Sequence, residues 1–348
     1  IFGIGKTRLL INGNEIIDNW TETSPGEAFF SFSSESRKDK VNLKKDETYK
    51  IEIQYKFEGN FPAIYIGCQT PDKVNLFEEA INAANDADQV ILIVGTNSDW
   101  ETEGNDRSDF NLPMNQNHLI EEILKVNSNT IIVLNTGSPI RMPWVDKAST
   151  ILQTWFAGQE FGNALTDILT GATNPSGKLP TSFPKELEDT PAFEYYPGDD
   201  LQMNYDEKRL VGYKWYERKN IKPLFSFGHG LSYTQFKYSN LNVSVNADNT
   251  VICSFFVQNI GDVIGSETMQ CYVSYIEEDL SEPLKTLQGF QKNEFEVGGK
   301  NQIEISLSSR NFATWNVDTK DWQVRPGVYE ISIGSSAEDI HLQTTINL

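Results

Sequence analysis

Leu76-Phe-Glu-Glu-Ala-Ile-Asn-Ala-Ala-Asn-Asp-Ala-Asp-Gln-Val-Ile-Leu-Ile-Val-Gly95 decides how the middle of this chain folds. Leu76, Ala80, Ala83 and Ala84 fall on overlapping faces of a helix over 76–86. Val90 to Val94 follows as an uninterrupted apolar run, which reads as a parallel strand buried on both faces. The pair then repeats. Gln116 to Val126 sets Leu119, Ile120, Ile123 and Leu124 at helical spacing, and Thr130 to Leu134 is again a strand. Thr150 to Trp155 reads as another strand and Asn163 to Leu169 as another helix. Alternation of this kind implies an α/β architecture with a mostly parallel sheet.

The flanks have a different period. In Tyr49, Ile51, Ile53, Tyr55 and Phe57 one face is apolar, while Lys50, Glu52, Gln54 and Lys56 point the other way, as in a sheet packed on one side. Thr7 to Ile11 also alternates, Asn12-Gly13 is a hairpin turn, Glu15 to Trp20 resumes, and Phe61 to Cys68 is expected to close an all-β region. From about residue 178 to 235 the sequence is irregular and aromatic, and Pro180, Pro184, Pro191, Pro197 and Pro223 preclude long elements. Period two returns after Phe236, in Leu241 to Val245, Val251 to Val257, Met269 to Tyr275, Gln302 to Leu307 and Val328 to Ile333, which suggests a β-sandwich. The expected layout is therefore a β-module over 1–72, an α/β domain over 73–190, a connector over 191–235 and a sandwich over 236–348. A chain of 348 residues accommodates two or three such domains.

Composition narrows the function. The 29 Lys and Arg against 49 Asp and Glu leave a formal charge of −20, which repels a phosphate backbone or an anionic membrane surface. Nucleic-acid and membrane partners are not expected, and no apolar run approaches the roughly 20 residues of a membrane helix. The start, from Ile1, lacks the apolar core and cleavage site of a signal peptide and runs straight into a strand, as a fragment would. Cys68, Cys253 and Cys271 are odd in number and widely spaced, so they form neither a disulfide framework nor a metal-ligand pattern and read as buried thiols. Asn19-Trp-Thr21 and Asn242-Val-Ser244 fit the glycosylation triplet without fixing a compartment.

Several chemistries lack their signatures. Gly5-Lys6-Thr7 ends like a phosphate-binding loop, but that loop needs a further Gly upstream and a helix downstream, and strand residues follow here. No Gly-x-Gly-x-x-Gly follows the strand ending at Val94, so nucleotide binding has no support beyond fold analogy. His118, His229 and His341 have no ligand spacing, no metal site is expected, and there is no Gly-x-Ser-x-Gly elbow for a serine nucleophile. What remains is the loop Thr96-Asn-Ser-Asp-Trp-Glu-Thr-Glu-Gly-Asn-Asp-Arg107. In open α/β sheets ligands gather where loops leave the carboxyl ends of strands. This loop mixes acids, an Arg and a Trp, which suits sugar chemistry: an aromatic ring covers the apolar face of a pyranose and a carboxylic acid protonates a departing glycosidic oxygen. Taken by its composition alone, the same loop also reads as a solvated surface.

Trp100-Glu-Thr-Glu-Gly-Asn-Asp-Arg107, followed by Leu112-Pro113 and Gln116, resembles the acid/base loop of family 3 glycoside hydrolases, the β-glucosidase group. Asn135-Thr-Gly-Ser-Pro139, Trp155-Phe-Ala-Gly-Gln-Glu160, Asn174-Pro-Ser-Gly-Lys-Leu-Pro180, Val211-Gly-Tyr213 and Pro223-Leu-Phe-Ser-Phe-Gly-His-Gly-Leu-Ser-Tyr-Thr234 resemble the family's second domain and the entry to its third, a fibronectin-III-like sandwich. Leu9-Leu-Ile-Asn-Gly-Asn-Glu-Ile-Ile-Asp-Asn-Trp20 is similar to the later half of a PA14 module, which some members carry as an insertion.

The resemblance implies a multidomain α/β plus β chain: a partial PA14 β-module, an α/β sandwich with a mostly parallel sheet, and a fibronectin-III-like β-sandwich. It implies a β-glucoside substrate and no cofactor. It also implies a missing partner, the TIM-type barrel that carries the catalytic Asp nucleophile in the family and that nothing in this chain matches. By the family motif the acid/base is Glu103, directly before Gly104, with Glu101 as its rival; on an extended segment both would face the same side. Asp106 and Arg107 are expected to hold the loop through charge-assisted hydrogen bonds, and Trp100 either flanks a sugar subsite or anchors the loop. Lys208 and Phe161 depart from the family pattern, each standing where Gly is frequent, which puts local turn shape in question. A noncatalytic carbohydrate-binding or scaffold protein built from the same modules is the alternative from another functional class.

Overall fold

The computed structural model describes the chain apart from residues 27, 70–74, 105, 108, 199–201 and 277–281 and the side chains of residues 30 and 31. The boundary expected between residues 72 and 73 lies outside the described residues. The chain divides into two compact units: Ile1–Ser108 with Leu112–Gly137 and Trp144–Thr154, and Asp109–Asn111 with Ser138–Pro143 and Trp155–Leu348.

The first unit begins with strands β1 (Phe2–Gly3), β2 (Gly5–Ile11) and β3 (Asn14–Asn19), a single helical turn α1 (Ala28–Ser31), and strands β4 (Ile51–Phe57) and β5 (Ile64–Tyr65). Asn12 and Gly13 both take positive φ, 50° and 80°, and join β2 to β3 as the sequence anticipates. The sheet order is β3-β2-β4, and Gly5-Lys6-Thr7 lies within β2, with no helix after it. Four expectations need correction. The region is not wholly β, since α1 interrupts it, and the strand expected over 61–68 shrinks to β5, which pairs with β1. Cys68 is accordingly exposed, not a buried thiol. The apolar face of β4 is largely uncovered among the described residues: Ile51, Ile53 and Phe57 are exposed, while Tyr55 is half-buried and donates to Ile4 O. Alternation identifies which face is apolar, but burial requires an opposing layer. Asn19 is fully buried and donates to Ser34 Oγ at 2.7 Å, so the first glycosylation triplet is structural; Asn242 of the second is exposed.

Helix α2 (Leu76–Asp86), strand β6 (Val90–Gly95), helix α3 (Gln116–Val126) and strands β7 (Thr130–Asn135) and β8 (Thr150–Gln153) complete the unit. Asn75 caps α2 by accepting from the Glu78 N–H, and Glu78 and Glu79 sit in its first turn, where the helix dipole favours acids. Ala84 of α2 and Ile120, Ile123 and Leu124 of α3 are buried, and Asn127 donates to the carbonyls of Ala84 and Ala87, fastening the two helix ends together. The three strands are parallel in the order β6-β7-β8. Ile132, Val133 and Leu134 of the central strand have no exposed surface. β6 departs from expectation. It is an edge strand in which Ile91 and Ile93 are about half exposed, at 49% and 52%, so only one of its faces is covered among the described residues. Strand β8 stops before Trp155, whose φ of 54° lies outside the extended region.

The second unit carries helices α4 (Phe161–Leu169) and α5 (Tyr213–Lys219), then strands β9 (Phe236–Val245), β10 (Val251–Asn259), β11 (Gly265–Tyr275), β12 (Thr286–Phe295), β13 (Lys300–Leu307), β14 (Ala313–Asn316), β15 (Asp321–Val324), β16 (Val328–Gly334) and β17 (Ile340–Asn347). Antiparallel sheets β13-β10-β9 and β12-β11-β16-β17 enclose one core, to which Val251, Cys253, Phe255 and Val257 contribute from one side and Met269, Cys271, Ile331 and Ile333 from the other. The irregular segment before the sandwich is ordered by long-range bonds. Leu179 N–H donates to His229 O and Gly228 N–H to Leu179 O, both at 2.8 Å, while Phe183 pairs with Phe225 as an antiparallel bridge. Within the stretch expected to be a connector, α5 forms with Trp215 and Tyr216 buried, and Tyr213 Oη accepts from Leu287 N–H of β12. Burial and the nearby Glu217 carboxylate push the Tyr213 phenol up to about 12.

A buried ion pair joins Lys178 to the sandwich. Glu267, on β11 and 4% exposed, receives Lys178 Nζ at 3.3 Å and the Tyr238 hydroxyl at 3.0 Å, and Lys178 also donates to Gly230 O. Burial raises the Glu267 carboxyl above its ordinary value of 4.5, against the opposing pull of Lys178, the Tyr238 hydroxyl and His341. Lys178→Met leaves that carboxylate buried without its cation, and about 3–5 kcal/mol of stability is expected to be lost at pH 7. A carboxyl whose folded pKa lies above its unfolded one contributes fully below pH 4.5 and loses that contribution as pH rises through the folded value. The deficit of the variant, read from denaturant midpoints against the parent, is therefore expected to shrink between pH 7 and pH 4.5; a pH-independent deficit contradicts this assignment. Lys208 offers a second test. It keeps a turn at φ 52°, the left-handed region that favours glycine. Lys208→Gly relieves roughly 1–2 kcal/mol of strain and returns some of it as unfolded-chain entropy, so unfolding curves are expected to show a net gain of about 0.5–1 kcal/mol.

Candidate active site

The parallel pairing of β6, β7 and β8 brings the loops that begin at Thr96 and Thr136 and the end of β8 to one edge of the sheet. The first loop starts where β6 and β7 come unusually close: a Cβ added to Gly95 would stand 2.1 Å from Asn135 O. Gln116, the first residue of α3, locks this point. Its side-chain amide accepts from Gly95 N–H at 2.8 Å and donates to Gly95 O at 2.9 Å, closing off both backbone groups as a neighbouring strand would. On the other flank Gln153 donates to both the carbonyl and the hydroxyl of buried Thr136, and Thr154 donates twice to Leu134 O.

Beyond Thr96 the chain turns at once, with Trp100 and Glu101 N–H both donating to Asn97 O. Trp100 is half-buried, and its buried indole N–H has no hydrogen-bond acceptor among the described residues. Glu101 is held at both oxygens. Oε1 accepts from the Arg107 guanidinium at 3.2 Å, and Oε2 accepts from the Gly137 N–H at 2.8 Å. Its side chain is only 12% exposed and that of Arg107 23%, so the pair is shielded from solvent. Arg107 is thus bonded within its own loop, with Glu101 as the acceptor. Asp106 is exposed.

Glu103 and Glu101 do not share an environment. The loop bends at 103–104, Gly104 adopts φ 84° with open space where a side chain would project, and Glu103 is exposed; no described residue donates a hydrogen bond to its carboxylate. A one-face arrangement required an extended segment, and the turn removes that condition. Among the described residues no group of three or more His, Cys, Asp and Glu is placed to hold a metal ion. The histidines are occupied elsewhere: His118 stacks on Phe77, His229 on Phe225 and His341 on Tyr238. Sequence reasoning missed the Gly137 donor, since a backbone N–H carries no residue signature, and the clamping role of Gln116, although Gln116 itself is part of the quoted motif.

Residues 14–233 match the model of the glycosyl hydrolase family 3 C-terminal domain, and residues 267–337 match that of a fibronectin type III-like domain. The chain is 39% identical over 313 residues to thermostable beta-glucosidase B of Acetivibrio thermocellus, covering 89% of this chain and 39% of that protein. It is 36% identical over 347 residues to a beta-glucosidase of Kluyveromyces marxianus, covering 97% of this chain and 41% of the relative. The crystal structure of the Kluyveromyces marxianus beta-glucosidase in complex with glucose superimposes with a TM-score of 0.90 at 34% identity, over all of this chain and 42% of that one. DesR, a beta-glucosidase from Streptomyces venezuelae in complex with D-glucose, gives 0.77 at 29% identity, over all of this chain and 44% of its own. This chain thus spans about two-fifths of the length of the curated relatives it matches. With the family model matched over most of the chain and the parallel sheet and its loop in place, the chain belongs to glycosyl hydrolase family 3, as its C-terminal domain followed by a fibronectin type III-like domain.

Proposed function

We propose that this chain is the part of a retaining β-glucosidase that supplies the general acid/base, Glu103, while the nucleophilic Asp comes from a barrel segment outside this sequence. In this reading residues 1–72 are the later half of a PA14 module and residues 73–190 an α/β sandwich domain. The observation that carries the assignment is the unequal state of two carboxylates in one loop. Glu101 already accepts from Arg107 and Gly137, whereas Glu103 stands exposed beside the Gly104 turn. An acid/base must give up a proton and take one back, and a carboxylate bound at both oxygens to fixed donors is poorly suited to that.

Retaining hydrolysis requires two carboxyl groups about 5–5.5 Å apart on either side of the glycosidic bond. The nucleophile attacks the anomeric carbon while Glu103 protonates the departing oxygen. Glu103, now a carboxylate, then takes a proton from the water that releases the sugar from the enzyme. Glu101, Arg107 and Gln116 hold the loop during both steps. The glucose complexes of the two β-glucosidase relatives support a β-glucoside as the substrate class.

Two tests follow from this division of labour. In an enzyme that joins this chain to the family's barrel segment, Glu103→Ala is expected to lose about 10²- to 10⁴-fold in turnover of disaccharides. Activated aryl glucosides, whose leaving groups depart without a proton, should give a burst and then stall, and azide should restore turnover with formation of the β-glycosyl azide. Azide rescue of Glu101→Ala instead would move the role by two residues, and rescue of neither would place the acid/base outside this loop. The second test reads structure. Glu101→Ala removes the acceptor of the Gly137 N–H, so amide hydrogen exchange at Gly137 should accelerate, with a loss of about 0.5–1.5 kcal/mol of local protection, since the bond is exposed. Glu103→Ala should leave that amide unchanged.

A further inference from the structure

The hairpin of β14 and β15 carries two exposed tryptophans. Trp315 and Trp322 are direct cross-strand partners, so they share one face of the hairpin with Ala313 and Val324. Val324 packs on the sandwich core, whereas the two rings continue the same face into solvent, 48% and 43% exposed. They meet edge to face, with centroids 5.5 Å apart. Arg310, in the helical turn Ser309–Phe312, stacks its guanidinium on the Trp322 ring. Trp322 is thus held between a cation and a second ring. Among the described residues no further ring or cation stacks on Trp315, which leaves it as the open platform. The opposite face of the hairpin keeps the pair in place. Asn316 Nδ2 donates to Gln323 Oε1 at 2.9 Å, Asn316 Oδ1 accepts from the N–H groups of Asp318 and Thr319, and Lys320 turns the chain at φ 54°.

Size and charge select the occupant. Besides the two rings, Val317 is the one exposed large apolar side chain between residues 308 and 323. So small an apolar area falls well short of the roughly 800 Å² that each partner buries in a standard protein interface, but it suits the C–H face of a pyranose. The same residues carry Arg310 and Lys320 against Asp318 and Asp321, a balance of zero in a chain of charge −20, which favours a neutral ligand. Arg310 is exposed and donates to no described residue, and a guanidinium stacked on a ring keeps its N–H edge free to donate outward. An open aromatic face beside unmet donors matches the two sides of a sugar, apolar C–H groups and hydroxyls. We propose that Trp315, Trp322 and Arg310 form a binding site for a neutral β-linked glucan on the sandwich. One glucose residue lies on Trp315, and Arg310 donates to its hydroxyl oxygens. The choice of β-linked glucose rests on the β-glucoside reading above; the hairpin's own chemistry specifies a neutral saccharide.

The test uses the whole chain labelled with 5-fluorotryptophan, in which each Trp gives its own fluorine signal, assigned by single Trp→Phe variants. Cellotetraose, a β-linked glucose tetramer, is titrated in, with α-linked maltotetraose as the second probe. The signals of Trp315 and Trp322 should move saturably with cellotetraose. Trp315→Ala is expected to lose about tenfold or more in affinity, and Trp315→Tyr, which keeps a ring, to retain most of it. Arg310→Ala leaves both rings in place and should lose about three- to tenfold, so the proposal stays testable if Trp315→Ala disturbs the hairpin. These readings need no turnover and no barrel segment, so their failure is distinct from a failure of the Glu103 test. Four outcomes overturn the proposal: no movement of either signal at millimolar cellotetraose, an affinity unchanged in both Trp315→Ala and Arg310→Ala, a response to maltotetraose alone, or signals that change with protein concentration in place of sugar, which would put a second copy of the chain on the hairpin.

Discussion

The carboxylate of Glu101 is the interaction around which the rest of the candidate site is arranged. Its partners differ in kind: Arg107 is a side chain of the same loop, while the Gly137 N–H belongs to the loop that follows the neighbouring strand. One residue thus closes its own loop and ties it to the next. Hydrogen bonds to an ionised group contribute about 1.5–3 kcal/mol each when shielded and less at an exposed amide such as that of Gly137, so the two bonds offset part of the loop's conformational entropy. With Glu101 bonded at both oxygens and the chain bending at Gly104, Glu103 stands exposed, and two acids separated by one residue sit in unlike surroundings.

The foundation beneath that loop is a contact made possible by an absent side chain. Gly95 lies against Asn135 where no Cβ could fit, and Gln116 satisfies the Gly95 backbone from the side away from β7. A strand end is normally a place where unpaired N–H and C=O groups fray into solvent. Here both groups of the last β6 residue are bonded, so the loop departs from a fixed point.

Where local pattern determined structure, the sequence was legible. Helices α2 and α3 occupy the residues that their 3.6-residue spacing indicates, and the strands around Val251–Val257, Met269–Tyr275 and Val328–Ile333 lie where alternation places them. Strand β12 went unread because Thr286-Leu-Gln-Gly-Phe-Gln-Lys-Asn interrupts its alternation with polar residues and with Gly289, where an added Cβ would lie 2.7 Å from Ile305 Cγ2. Strand β17 had a clean alternation of Ile340, Leu342, Thr344 and Ile346 and could have been found. The exposed faces of β4 and β6 were not legible at all, since period reveals which side chains share a face and says nothing of what lies opposite. In the site, the motif pointed to the loop and to Arg107 as a residue that bonds there. The partner of Arg107 and the N–H contributed from 36 residues away are tertiary facts without a local signature.

The stretch that looked most irregular in sequence shows why motif and element need not coincide. Asn174-Pro-Ser-Gly-Lys-Leu-Pro180 and Pro223-Leu-Phe-Ser-Phe-Gly-His-Gly230 are about fifty residues apart, each broken by proline, and neither has a period. In the structure they complete each other: Leu179 exchanges backbone bonds with Gly228 and His229, Phe183 with Leu224 and Phe225. A Cβ on Gly230 would stand 2.1 Å from Gly177 O, so the glycines mark a crossing of two backbones. Between them Lys178 turns to Glu267 in the sandwich. Proline keeps both segments out of helices and sheets of their own, which leaves their remaining N–H and C=O groups available to each other. The two motifs are halves of a single joint, and their unusual composition is what a joint made of backbone contacts requires.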